Sequence, residues 1–188
     1  TPSLERVTKG FLNLEKHIEN CKHFGITPVV AINHFPSDSA EEIEFVQQQC
    51  STHGVKAKVA KGFELGGQGT TELAQAVCDS IESGANQFKP LYDWSLSIED
   101  KIIKIATSIY GATAVEFSSK AHTQLKTIKT LGYDKLPVCM AKTEKSLSDN
   151  MELKGRPENF TVHVREFEFA AGAGFIIPIL GEIMRMPG

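Results

Sequence analysis

The stretch PVVAINHFPSDSAEEIEFVQQQCSTHGVKAKVA, residues 28–60, decides the fold. Residues 28–32 are a short apolar run rich in β-branched side chains, the composition of a strand buried in a parallel sheet. Ser39 followed by Glu42 is a capping box, in which a hydroxyl and a carboxylate satisfy the first free amides of a helix. Ile43, Val46 and Cys50 then recur at helical spacing until Gly54 stops the helix. Residues 55–60 read as a second, weaker strand. Strand, helix and strand in that order produce a parallel sheet covered by helices.

The pattern extends on both sides. Thr1 and Pro2 predict a helix opening, and Leu4, Val7, Phe11, Leu14, Ile18 and Cys21 carry an apolar stripe to a stop near Gly25. Residues 61–69 form a glycine-bearing loop. Beyond it, Thr70 or Thr71 caps a helix through Leu73, Ala74, Val77 and Ile81 that ends at Gly84. Residues 85–96, with Pro90 and the aromatics Phe88, Tyr92 and Trp94, break the alternation and read as a linker.

A second alternation follows. Ser97 caps a helix with Ile98, Ile102, Ile105, Ala106 and Ile109, closed by Gly111. Strands are expected at 114–117, 136–141 and 160–169, with a helix at 118–131 closed by Gly132. In the last strand the apolar phase shifts around Arg165, which predicts a bulge or a strand buried on both faces. The fold class is α/β: a parallel-sheet α-β-α-β-α unit over residues 1–84, the linker 85–96, and a second, smaller α/β unit over 97–188.

The 188 residues are enough to bury a real core, and 41% hydrophobic with 23% charged residues is an ordinary globular balance. A net charge of -3 argues against a nucleic-acid binder that works by neutralising phosphates. No apolar run is long enough to cross a bilayer, and the first residues lack a secretory pattern, so a cytoplasmic protein is expected. None of the four cysteines forms a C-x-x-C pair, which leaves them as small apolar packing residues. The six histidines show no metal-ligand spacing, and no serine or cysteine nucleophile motif is present.

Candidate chemistry gathers where strands run out. The first strand ends in Asn33, His34, Phe35, Pro36, Ser37 and Asp38, over the crevice where open α/β sheets bind ligands. Asn33 both donates and accepts, which suits the edge of a purine or pterin ring, and Phe35 offers a face for stacking. The alternative makes Asn33 and Asp38 turn formers and Phe35 a core residue. The second strand leads into KGFELGGQG, residues 61–69, where Phe63 stands among four glycines. A planar ligand clamped between Phe35 and Phe63 is one reading, two independent rim aromatics the other. Ala170 to Phe175 lets the backbone turn tightly or pass close to a ligand at Gly172 and Gly174. Lys142, Lys145 and Arg156 are candidates for phosphate or carboxylate, against the commoner role of solvated surface charges. The phosphate loop G-x-x-x-x-G-K-[ST] occurs nowhere in the chain.

Several long blocks, GFLNLEKHIENCKHFGITPVVAINHFPSDS (10–39), GGQGTTELA (66–74), LPVCMAKTEKSLSDN (136–150) and the run from GRPENF to the last residue (155–188), together resemble the C-terminal part of formate–tetrahydrofolate ligase, also called 10-formyltetrahydrofolate synthetase. The resemblance covers essentially the whole chain. It implies an enzyme that uses ATP to activate formate as formyl phosphate and passes the formyl group to N10 of tetrahydrofolate. Magnesium accompanies the nucleotide, a monovalent cation supports activity, and the full-length enzyme is a homo-oligomer; no nucleic acid or membrane is involved.

By the same resemblance Phe35 and Phe63 are the pair that sandwiches the pterin, with Val59 as apolar wall. The segment with Gly172, Ala173 and Gly174 is expected by that resemblance to border the nucleotide or folate cleft, and Asn33, from its place at the strand end, is expected to contact the nucleotide. Many relatives have tryptophan where Phe63 stands, so a smaller stacking face is expected here. The family's phosphate loop belongs to an N-terminal domain outside these residues, which predicts that this piece is a fragment, inactive alone. An assembly or regulatory module derived from the same family is the alternative.

Overall fold

The computed structural model describes residues 3–181. Two compact units divide the chain, Thr1–Lys89 and Pro90–Gly188. In the first unit, α1 (Leu4–His23) is capped by Ser3, whose hydroxyl accepts from the Arg6 amide. The expected cap at Thr1 lies outside the described residues. Strand β1 (Val29–Asn33) is followed by α2 (Ala40–Thr52), which opens on the complete Ser39–Glu42 capping box. Strand β2 (Lys56–Ala60) then lies parallel to β1, with Asn33 opposite Ala60 at the carboxyl end. Phe11, Ile18, Cys50 and Val55 form the buried cluster, joined by half-buried Val30 and Ala57 of the sheet.

The glycine-bearing segment is not an open loop. Residues Gly62–Leu65 make a single helical turn, α3, and Gly66–Thr70 a 3-10 turn that runs directly into α4 (Thr71–Glu82). Neither Thr70 nor Thr71 caps α4. The chain enters that helix from a helical turn, and the hydroxyls donate back to the carbonyls of Gly67 and Gln68. Residues 86–89 fold back on the end of α1: Gln87 donates to the Gly25 carbonyl and Lys89 to that of Phe24. Phe88 stacks on Phe24.

The second unit opens with α5 (Ile98–Ile105), capped by Ser97 and continued by a π-helical turn, Ala106–Tyr110, to Gly111. Strand β3 (Ala114–Phe117) precedes α6 (Ser119–Thr130), capped by Ser118. The expected strand at 160–169 is two strands. β4 (Thr161–Val164) runs parallel to β3, and β5 (Glu166–Ala170) runs antiparallel to β6 (Phe175–Ile179). Arg165 is the crossing point, where the backbone leaves one sheet and donates to Ile179 of the other. The apolar phase shift records a change of partner: Val162 and Val164 are buried before it, Phe167 after it.

The strand expected at 136–141 is reduced to two parallel bridges against β6, Val138 with Ile176 and Ala141 with Ile179. Pro178 explains the gap. Ile176 donates to Pro137 and Cys139 to Ile176, while Ala141 donates to Pro178, but proline has no amide to return the intervening bond. The core joins Ile98 and Ile102 of α5, Leu125 and Ile128 of α6, and Val162, Phe167 and Ile176 of the strands. Each such buried side chain contributes roughly 1.5–3 kcal/mol. Of the cysteines, Cys50 packs in a core as expected, but Cys78 and Cys139 are exposed.

Candidate functional site

Backbone bonds hold the carboxyl ends of β1 and β2 together. His34 donates to the Ala60 carbonyl at 3.0 Å, which extends the ladder by one rung. Phe35 follows, fixed by a reciprocal turn: its amide donates to Asp38 Oδ2 at 2.8 Å, and the Asp38 amide donates to its carbonyl at 2.9 Å. Asp38 is thus a turn former, and the turn presents Phe35 half exposed. On the neighbouring strand, Lys61 donates to Gly69 at 2.9 Å and accepts from Leu65 at 2.9 Å, so α3 is folded over the strand end. That turn carries Phe63, 77% exposed.

The two rings meet at a centroid distance of 5.6 Å with 47° between their planes. Two exposed phenylalanines on adjacent loops are thereby brought into tilted contact at the sheet end. A planar ring held between them needs about 7 Å, two aromatic contact distances. The rings must therefore part by more than an ångström to admit one. The glycines flanking Phe63 supply the freedom: Gly66 sits at φ +56°, and no neighbour crowds Gly66 or Gly67. Val59, on β2 opposite Ile32, is half-buried beside the same end of the strand.

The sequence pattern missed the polar pair beside these rings. His34 Nδ1 lies 3.3 Å from Glu64 Oε1, the histidine ring half-buried and the glutamate at the exposed surface. The approach lacks hydrogen-bond alignment, so Nδ1 is left with an electrostatic contact only. Each residue directly neighbours one of the aromatics, His34 before Phe35 and Glu64 after Phe63, and that adjacency was the available signal.

The remaining expectations fall in different places. Asn33 is exposed at the end of β1 in the first unit. Gly172, Ala173 and Gly174 belong to the second unit, at the turn of the β5–β6 hairpin, where Ala173 donates to Ala170 and Gly174 to Ala171. Those two amides are spent on the turn itself. Lys142 is likewise engaged, its Nζ donating to the carbonyls of Thr143 and Ser146, and partial burial pushes its pKa down. Among the described residues no group of three or more metal-ligating side chains converges, and no helix is long and apolar enough to cross a membrane.

The paired aromatics thus stand at the carboxyl end of a parallel strand pair, the position where open α/β sheets bind ligands. A family model described as formate–tetrahydrofolate ligase matches residues 1–188. The chain belongs to that family, whose members are ligases that use formate, tetrahydrofolate and ATP.

Proposed function

We propose that these residues supply the folate-side wall of a formate–tetrahydrofolate ligase, with the pterin stacked between Phe35 and Phe63 and Val59 as apolar backing. One observation carries this reading: a half-exposed and a largely exposed phenylalanine from separate loops meet at the strand ends, 5.6 Å apart. An exposed aromatic pair has little to do for the core, and a flat heterocycle gives both faces a partner. In the reaction, ATP phosphorylates formate and N10 of the folate displaces phosphate from formyl phosphate. The wall's part is to hold the folate so that N10 meets the acyl carbon.

ATP and magnesium require phosphate-binding groups that this stretch does not supply, since it contains no glycine-lysine phosphate loop. Nucleotide contact here is reduced to what Asn33 and the 172–174 turn add. The monovalent cation is assigned no ligands among these residues. The predicted consequence is folate binding without formyl transfer.

Titration calorimetry with tetrahydrofolate tests the assignment. Phe35→Ala and Phe63→Ala should each weaken binding by about 0.5–1.5 kcal/mol beyond lost area, roughly two- to twelvefold. Unchanged affinity in both variants would sink it.

A further inference from the structure

His34 and Glu64 bridge the same two segments as the paired rings. His34 immediately precedes Phe35 beyond the end of β1, and Glu64 immediately follows Phe63 in α3. Glu64 Oε1 lies 3.3 Å from His34 Nδ1, so the carboxylate reaches from the Phe63 segment across to the Phe35 segment. The gap between the segments is therefore closed twice, by ring against ring and by carboxylate against imidazole.

The polar closure is a poor one. His34 Nδ1 is buried and has no aligned hydrogen-bond partner, although a carboxylate stands beside it. Such a contact is easily exchanged for well-aligned bonds to the same ionised group. Asp38, the other carboxylate beside Phe35, is spent on the Phe35 amide, whereas Glu64 has the imidazole contact alone among the described residues. Admitting a flat ligand parts the rings by more than an ångström, and α3 carries Glu64 along with Phe63. His34 stays behind, tied to β2 through its amide bond to Ala60. The contact then stretches beyond about 4 Å, the limit of an ion pair, and the carboxylate is freed at the rim of the opened slot.

A ring with both faces covered by phenylalanines has only its edge left to offer. A carboxylate accepts and does not donate, so the edge it recognises is one that carries N–H groups. The pyrimidine half of a pterin presents two side by side, the 2-amino group and N3–H, and a carboxylate accepts such a pair through two parallel charge-assisted bonds. We propose that Glu64 is the edge anchor of the folate slot, accepting from the 2-amino group and N3–H of the pterin once the rings have parted. The proposal rests on the reading of Phe35 and Phe63 as the pterin sandwich and adds selectivity to it: stacking alone takes any flat ring, while the carboxylate selects one with two adjacent donors.

The test is anaerobic titration calorimetry of the whole chain with tetrahydrofolate and with its 2-desamino analogue. Wild type should prefer tetrahydrofolate by roughly ten- to a hundredfold, the effect of losing a hydrogen bond to a charged group. Glu64→Gln keeps the size of an exposed side chain but turns one acceptor into a donor, and should bring the two ligands to near-equal affinity. A variant that merely deformed α3 would weaken both ligands alike and leave their ratio at the wild-type value. That outcome, or equal affinity of wild type for the two ligands, would overturn the anchor. Phe63→Ala keeps this failure apart from that of the sandwich: if it weakens tetrahydrofolate binding while Glu64→Gln leaves the ratio untouched, the sandwich stands without the anchor. Unchanged affinity in both Phe35→Ala and Phe63→Ala, or no binding by wild type, retires the two together.

Discussion

Replacing Lys101 by methionine isolates the one lysine whose side chain is entirely buried. Its Nζ donates to the carbonyls of Lys135 at 2.8 Å and Leu136 at 3.1 Å, and lies 5.9 Å from the centre of the Tyr92 ring. Methionine fills a similar volume, so the apolar packing of the stem survives. What is lost is a pair of bonds from a charged donor, each worth about 1.5–3 kcal/mol, together with a weak cation–π contact. What is relieved is the desolvation of an ammonium ion, several kcal/mol in effective terms. These roughly cancel, and the remainder is the cost of two stranded carbonyls, about 1–3 kcal/mol. Lys101→Met should therefore destabilise the second unit by about 2 kcal/mol at neutral pH.

The pH dependence carries a sign. Burial pushes the Lys101 pKa below its ordinary value, so between the depressed pKa and the unfolded one the unfolded chain binds the extra proton. Wild-type stability relative to the variant must rise with pH across that window, because the neutral amine still donates to both carbonyls. Urea unfolding followed by Trp94 fluorescence, the only tryptophan, reads this unit directly. A variant as stable as wild type, or a difference that shrinks as pH rises, would refute the reasoning.

Three further outcomes are expected. Gly69→Ala sets a Cβ 2.4 Å from the Lys61 carbonyl oxygen, so the Lys61–Gly69 clasp must open; about 1–3 kcal/mol should be lost in thermal unfolding, with tetrahydrofolate affinity falling in parallel. Gly25→Ala combines a φ of +72° with a Cβ only 2.0 Å from the Gln87 carbonyl oxygen, and should cost about 3 kcal/mol in urea unfolding while releasing residues 86–89 to proteolysis. The Glu42 carboxylate is held below its usual pKa, first by the Ser3 amide and then by the Ser39 hydroxyl. Its stabilising share is full above the ordinary carboxylate pKa and lost as pH falls through the depressed one, so the melting temperatures of wild type and Glu42→Gln should converge in acid.

What was legible in the sequence was local. The Ser39–Glu42 box, the Ser97 cap and the βαβ alternation are written in residues a few positions apart, and each reappears in the structure. What was missed depends on distant partners. Nothing near Arg165 says that the chain changes sheets there, because its new neighbour is Ile179. Residues 136–141 have the composition of a strand, yet the proline that removes a rung sits on β6. The segment 61–69 read as a loop because four glycines lower helix propensity, but the bonds from Glu64 and Leu65 to Lys61 and from Lys61 to Gly69 coil it. The candidate site divides the same way: Phe35 and Phe63 could be singled out by their positions after successive strands. The His34–Glu64 contact exists only once the chain is folded.

A crystal structure with bound tetrahydrofolate tests the central claim most directly. The account predicts the pterin between Phe35 and Phe63, with the ring centroids parted from 5.6 Å to about 7 Å and α3 displaced to accommodate it. A pterin bound elsewhere, with the two rings still in contact, would contradict it.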